Sequence, residues 1–215
     1  MIAFSGLDGA GKSTQISLLI DFYKIKKTKS LMLWSRGGYT HGMEFLKKTL
    51  RRLNSSSIPK ERGKSTKRDT SFSNKYIRKT WLTLSILDLL FYYTIYIRII
   101  EFFGIVVICD RYLFDTLLDF KRNFPQENVQ KWLIWRLLMS VSATPKKHFI
   151  LTISVKESQY RSTLKNEPFP DSKETLKFRL DEYLKYGNNN KFVVEINCEK
   201  SIELIHQQII NCLKK

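Results

Sequence analysis

The octapeptide Gly6-Leu7-Asp8-Gly9-Ala10-Gly11-Lys12-Ser13, set directly behind the apolar run Met1 to Phe4, constrains this chain more than any other stretch. It fits G-x-x-x-x-G-K-[ST]. In that pattern glycines let successive backbone N–H groups curl around phosphate oxygens, the lysine offsets their charge, and the hydroxyl after it can ligate Mg²⁺. The pattern needs a strand before it and a helix behind it. Both are present, because Thr14-Gln15-Ile16-Ser17-Leu18-Leu19-Ile20 carries apolar residues at helical spacing, and a helix N-terminus then points at the anion. A partial copy, Gly63-Lys64-Ser65-Thr66, reads as basic loop: Ile58 stands where the leading glycine belongs, and no strand precedes it.

A chain of 215 residues, 43% of them apolar, can bury a sizeable core and reads as one domain with a mobile insertion. Cys109, Cys198 and Cys212 are odd in number, far apart and in no C-x-x-C arrangement, which indicates neither a disulfide framework nor a zinc site and fits a reducing, cytoplasmic location best. No N-terminal signal is expected, since Met1 leads at once into the strand before the loop. The net charge of +17 is compatible with nucleic acid, an anionic surface or polyphosphate substrates. Much of it is dispersed, as at Lys24, Lys26, Lys27 and Lys29, and no nucleic-acid motif stands apart from it. The run Leu82 to Ile97 carries a single charge, Asp88, yet it is shorter than the ~20 residues a membrane span needs and gives way to Arg98, Glu101 and Gly104, so helix, turn and buried strand are expected instead.

Five short apolar runs read as strands: Ile2 to Phe4, Leu31 to Trp34, Ile105 to Cys109, His148 to Ile153 and Phe192 to Ile196. Helical patterns lie between them, at Thr14 to Tyr23, Met43 to Leu53, Asn74 to Phe102, Gln126 to Met139, Lys173 to Tyr186 and Ser201 to Leu213. This alternation predicts an α/β domain with a parallel sheet and ligand sites at the carboxyl ends of its strands. Asn54 to Thr70 and Ser162 to Ser172, the latter with Pro168 and Pro170, read as loose segments that order on binding.

A second constellation, Asp110-Arg111-Tyr112, follows Ile105 to Cys109 and so puts an acid and a base at the end of a buried strand. Two readings are open from the residues alone. The pair caps the strand as a structural ion pair, or it serves phosphoryl transfer, the carboxylate organising Mg²⁺ and the guanidinium binding a phosphoryl oxygen.

The stretch Phe4 to Gln15, taken with Asp110-Arg111-Tyr112, resembles thymidylate kinase, in the nucleoside monophosphate kinase branch of the P-loop enzymes. Weaker parts of the likeness are Arg36-Gly37-Gly38-Tyr39-Thr40 after the second strand and the closing strand and helix from Phe192 to Leu213. The resemblance implies a P-loop NTPase fold, five parallel strands flanked by helices, and Mg²⁺-dependent transfer of the γ-phosphoryl of ATP to a nucleotide 5′-phosphate, dTMP to dTDP. By position, Gly6, Gly9, Ala10, Gly11, Lys12, Ser13 and Thr14 would hold ATP phosphates, Ser13 and Asp110 would serve the metal, and Asp8 would face the acceptor. Arg111 and Arg36 would grip the acceptor phosphate, with Tyr112 beside its sugar. The family commonly forms homodimers, and Trp132, Leu133, Trp135 and Leu137 form a helix face that reads as core or as a dimer contact.

The departures from the family pattern matter as much. Some members carry a catalytic arginine in the loop where Gly9 stands here, and others draw that charge from a lid, which in this chain is a short one near 156–172 with Arg161 as the first cation and Lys165 as the second. An aromatic residue and an arginine that read the thymine ring would fall at Ile86 and Leu90, with Asp88 between them, so the arginine is absent. The serine common five residues after the Asp110 position is Asp115, which makes the acceptor pocket more acidic, and Phe72 with Tyr76 has the chemistry to replace the missing base contacts. A basic loop and acceptor-binding region is expected near 54–80, and His41 reads as an exposed loop residue. Two alternatives stay open: a P-loop kinase of another acceptor, whether another nucleotide or a phosphorylated sugar, and a non-catalytic nucleotide-dependent regulatory or nucleic-acid-binding protein.

Overall fold

Apolar runs too short for helices become five strands in the computed structural model, which describes residues 1–34, 40, 72–166 and 170–214. They are β1 (Ile2–Gly6), β2 (Ser30–Trp34), β3 (Val106–Asp110), β4 (Lys147–Thr152) and β5 (Val193–Asn197). All pair in parallel, in the order β2-β3-β1-β4-β5, and helices flank the sheet, an α/β arrangement consistent with a P-loop kinase fold. Each strand lies within two residues of its expected place.

The two-residue period of a strand divides the core into two layers. Ile2 and Phe4 of β1 and Ile108 of β3 face one cluster, with Ile16, Leu19, Leu176, Tyr183, Ile205 and Ile209 from the helices beside it. Ala3, Val107 and Cys109 face the other, built from Leu82, Ile86, Leu89, Tyr93 and Ile97. The register Ile2↔Ile108 and Ala3↔Cys109 keeps the two sets in step. All three thiols are free, and those of Cys109 and Cys198 are buried.

The helices are α1 (Lys12–Ile25), α2 (Lys75–Phe91), α3 (Ile97–Phe102), α4 (Leu113–Asn123), α5 (Leu133–Val141), α6 (Val155–Leu164), α7 (Lys173–Asn188) and α8 (Ile202–Lys214). A π-helical turn, Tyr92–Tyr96, joins α2 to α3. The buried positions 82, 86, 89, 93, 97 and 100 follow the 3.6-residue helical period along the joined helix and form its inner face. The joined helix, Lys75–Phe102, has 28 residues and is long and apolar enough to cross a membrane by length and composition. The helix is thus longer than the apolar run Leu82 to Ile97 suggests, and the expected turn, at Phe103-Gly104, and buried strand, β3, follow it. What the fold supplies is a packed inner face, while Leu87, Phe91, Ile95, Ile99 and Phe102 stay exposed on the outer one.

Three further departures have local causes. Helix α4 was not anticipated; Asp115 accepts the Tyr112 N–H at 3.0 Å and closes its first turn, and Leu113, Leu117, Leu118 and Phe120 give it a buried face. The helix expected over Gln126 to Met139 is split into a 3₁₀ turn, Val129–Lys131, and α5, because Trp132 takes an extended conformation (ψ 135°) between them. The lid region near 156–172 begins as a regular helix, α6, whose Ser154 side chain accepts from the Glu157 N–H. The expected helix Met43 to Leu53, most of the basic loop near 54–80, and residues 167–169 of the lid lie outside the described residues.

Candidate active site

At Gly6 the chain leaves β1 so close to β4 that a Cβ there would sit 2.3 Å from the Leu151 carbonyl oxygen, and φ is +143°, so only glycine fits. The loop then turns into α1 at Lys12. The Lys12 ammonium folds back onto its own loop, donating to the carbonyls of Gly6 at 3.0 Å and Leu7 at 2.7 Å. Burial, reinforced by the positive charge of Arg111, lowers its pKa to about 8.

Strand β3 runs beside β1, with Phe4 opposite Asp110, and the Arg111 N–H donates to the Phe4 carbonyl at 2.8 Å. This pairing carries Asp110 and Arg111 to the mouth of the loop. Arg111 sits at φ +78°, in the left-handed region that non-glycine residues rarely occupy, so its backbone is held under strain. Its guanidinium donates to Asp8 at 2.7 Å and to Asp115 at 3.4 Å. Asp110 is different: its Oδ1 is buried with no hydrogen-bond partner among the described residues, and burial raises its pKa. A cavity of about 200 Å³ lies among Lys12, Ser13, Asp110 and Arg111, with Trp34 and Lys165 on its walls. Its size suits phosphate groups, with the remainder of a nucleotide outside it.

Helix α6 closes one side of the loop. Ser158 donates its hydroxyl to the Asp8 carbonyl at 2.6 Å, and Arg161 donates to the carbonyls of Gly9 at 3.2 Å and Cys198 at 3.3 Å, while its Nε is held by Glu157 at 2.7 Å. A Cβ at Gly9 would lie 3.0 Å from the Arg161 Cβ, at φ +77°. A side chain on the loop at that position and Arg161 on the helix compete for the same space, which explains in packing terms why the loop carries glycine there. Of the two expected lid cations, Lys165 lines the cavity and Arg161 braces the loop.

The fold gathers Asp8, Gly9, Gly11, Lys12, Ser13, Thr14, Asp110, Arg111 and Lys165 around one cavity. Other expected site residues go elsewhere. Tyr112, expected beside a sugar, is buried, with its hydroxyl donated to the Ala143 carbonyl at 2.7 Å and its ring edge-on to Tyr93. Phe72, expected to contact a base, packs on Phe124 and Trp81 at ring distances of 5.2 and 5.9 Å. Asp115, expected to line the acceptor pocket, is 1% exposed and lies behind Arg111. Ile86 is buried in the core, while Asp88 accepts a hydrogen bond from Thr40. Arg36 and His41 lie outside the described residues. Sequence reasoning missed Trp34, although its place at the end of β2 marks a strand terminus facing the loop.

Among the described residues, no group of three His, Cys, Asp or Glu side chains could hold a metal ion. The orphaned Asp110 carboxylate and the Ser13 hydroxyl on the same cavity do fit Mg²⁺, which takes one or two protein oxygens and completes its shell from phosphates and water.

No family model matches the chain. Over 124 residues it is 31% identical to a probable thymidylate kinase 2 of Saccharolobus solfataricus, a match that covers 57% of this chain and 47% of that protein. The matched segment thus spans about half the length of that relative.

Proposed function

We propose that this protein is a nucleotide kinase that transfers the γ-phosphoryl of ATP to a nucleoside monophosphate, with dTMP the favoured acceptor. The observation that carries the reading is the convergence of the phosphate loop and Asp110-Arg111 on one polar cavity, from adjacent strand ends. The similarity to a probable thymidylate kinase supports the same chemistry. Lys12 and the loop amides hold the donor phosphates, Lys165 adds positive charge from α6, and Arg111 receives the acceptor phosphate. Ser13 and Asp110 are the residues that would hold Mg²⁺ brought with ATP, which would supply charge neutralisation of the phosphates. No general base is called for, because the acceptor oxygen is already anionic and catalysis is positioning and charge neutralisation. A reducing compartment and a homodimer joined through the exposed face of α2 and α3 belong to the same proposal.

A coupled ATP-consumption assay across the nucleoside and deoxynucleoside monophosphates tests it. We expect dTMP to lead in kcat/KM and dUMP, lacking only the methyl group, to follow at a ratio worth ~1 to 3 kcal/mol. A purine nucleotide turned over as fast overturns the dTMP assignment. Activity on a sugar phosphate and on no nucleotide overturns the nucleotide kinase reading altogether.

A further inference from the structure

Resting on that reading, we propose that Asp115 is a positioning residue: it fixes the Arg111 guanidinium from behind for the acceptor phosphate, and Tyr183 and Ser5 hold Asp115 in place for that task. Arg111 has two carboxylate partners of opposite character. Asp8 stands on the cavity with its side chain 35% exposed, whereas Asp115 is buried at 1%. An incoming phosphate competes for the guanidinium with the exposed partner, and the buried one keeps the fork from following.

Asp115 is built for such a role because its carboxylate is saturated. Oδ2 accepts from the Ser5 hydroxyl and from the Tyr112 N–H at 3.0 Å, and Oδ1 accepts from the Tyr183 hydroxyl at 2.7 Å and from Arg111 at 3.4 Å. Four donors fill the sites of an ionised carboxylate, which is what keeps a buried charge tolerable. The network continues one step further. Ser5 gives its proton to Asp115, so it takes one from His148 Nε2 at 2.7 Å, leaving His148 Nδ1 buried without a partner among the described residues.

A purely architectural role is already filled by neighbours. Helices α4 and α7 are joined one turn away by Arg179 and Asp119 at 2.7 Å, and by Phe114 stacked on Tyr186 at 3.9 Å. The Asp115–Tyr183 bond adds no third clamp that the packing lacks, and of the groups bonded to Asp115 only Arg111 lines the cavity.

The test is steady-state kinetics on Asp115→Asn and Tyr183→Phe, with dTMP or whichever acceptor leads the panel, beside Asp119→Asn as the architectural control. Asp115→Asn is expected to raise the acceptor KM tenfold or more and leave the ATP KM within twofold, and Tyr183→Phe to move the acceptor KM in the same direction by less. Asp119→Asn is expected to lower the melting temperature without that split. An unchanged acceptor KM in Asp115→Asn, or parallel rises in both KM values like those of the control, overturns the proposal. If Asp115→Asn fails to fold, Tyr183→Phe decides by the same criteria. Nitrogen NMR of the Arg111 guanidinium in the nucleotide-free protein separates this inference from the kinase reading. If wild type phosphorylates no nucleotide, the kinase reading falls, and an Arg111 that stays ordered in Asp115→Asn then overturns the positioning role as well. Loss of that order sustains it.

Discussion

Lys12 is buried against the carbonyls of its own loop, and its ammonium is held at a pKa of about 8 against an ordinary 10.5. The unfolded chain therefore binds the proton more tightly than the folded one between those values, and this residue's contribution to stability rises with pH through that window. Phosphate reverses the preference, because an anion in the cavity favours the charged amine. ATP affinity should be flat below pH 7.5 and weaken above pH 8, with proton uptake measurable by calorimetry in two buffers, and Lys12→Met should lose both effects along with at least ~100-fold of kcat. His148 carries a consequence of the same sign at the acid end. Burial among Ser5, Asp115 and the rings of Tyr112 and Tyr186 lowers its pKa from 6.5 to about 4, with Asp115 opposing only in part. Between those values the unfolded chain takes up a proton that the folded one refuses, so stability falls as pH drops from 6.5 to 4. Melting temperatures across that range should show the loss, and His148→Gln should flatten it.

At the scale of elements, α6 is both scaffold and source of charge. Its face carries Ser158 and Arg161 into the loop's carbonyls, and its last residues deliver Lys165 to the cavity. These are different duties, and kinetics can part them. Lys165→Ala should lower kcat by ~10- to 100-fold with acceptor KM little changed, the mark of a contact made chiefly in the transition state. Arg161→Ala should instead raise the ATP KM, because the loop loses a brace before any chemistry begins. A kcat defect in Arg161→Ala larger than that of Lys165→Ala would return the transition-state role to Arg161. Helix α4 illustrates the same economy: Asp115 closes its first turn, and its side chain also reaches Arg111.

For the whole molecule, the outer face of the helix from Lys75 to Phe102 is the feature its own core leaves open. Leu87, Phe91, Ile95, Ile99 and Phe102 lie along it at four- and three-residue steps, and α5, packed beside α2, adds exposed Leu133 and Leu137. A stable homodimer buries ~1,200 Å² or more, and a stripe of this length can supply such a patch. Sedimentation velocity should find a dimer at micromolar concentration and a monomer for Phe91→Lys with Ile95→Lys. A monomeric wild type would remove the dimer from the proposed function.

The loop, its strand and helix, and the Asp-Arg pair after β3 were legible in the sequence because each depends on neighbours only a few residues away. Gly6 and Gly11 frame backbone turns, Lys12 and Ser13 follow by fixed spacing, and the strand periodicity places Ala3 and Phe4 on opposite faces without reference to the rest of the chain. Tertiary structure alone decided the rest. It withdrew Tyr112 and Phe72 into the core, gave the cavity wall to Lys165 and Trp34, and set Asp115 behind Arg111 with a phenol from 68 residues further along the chain. Aromatic and acidic residues have the same chemistry in a core as in a site, and only the crossing of distant elements fixes which side of the chain water and substrate can reach.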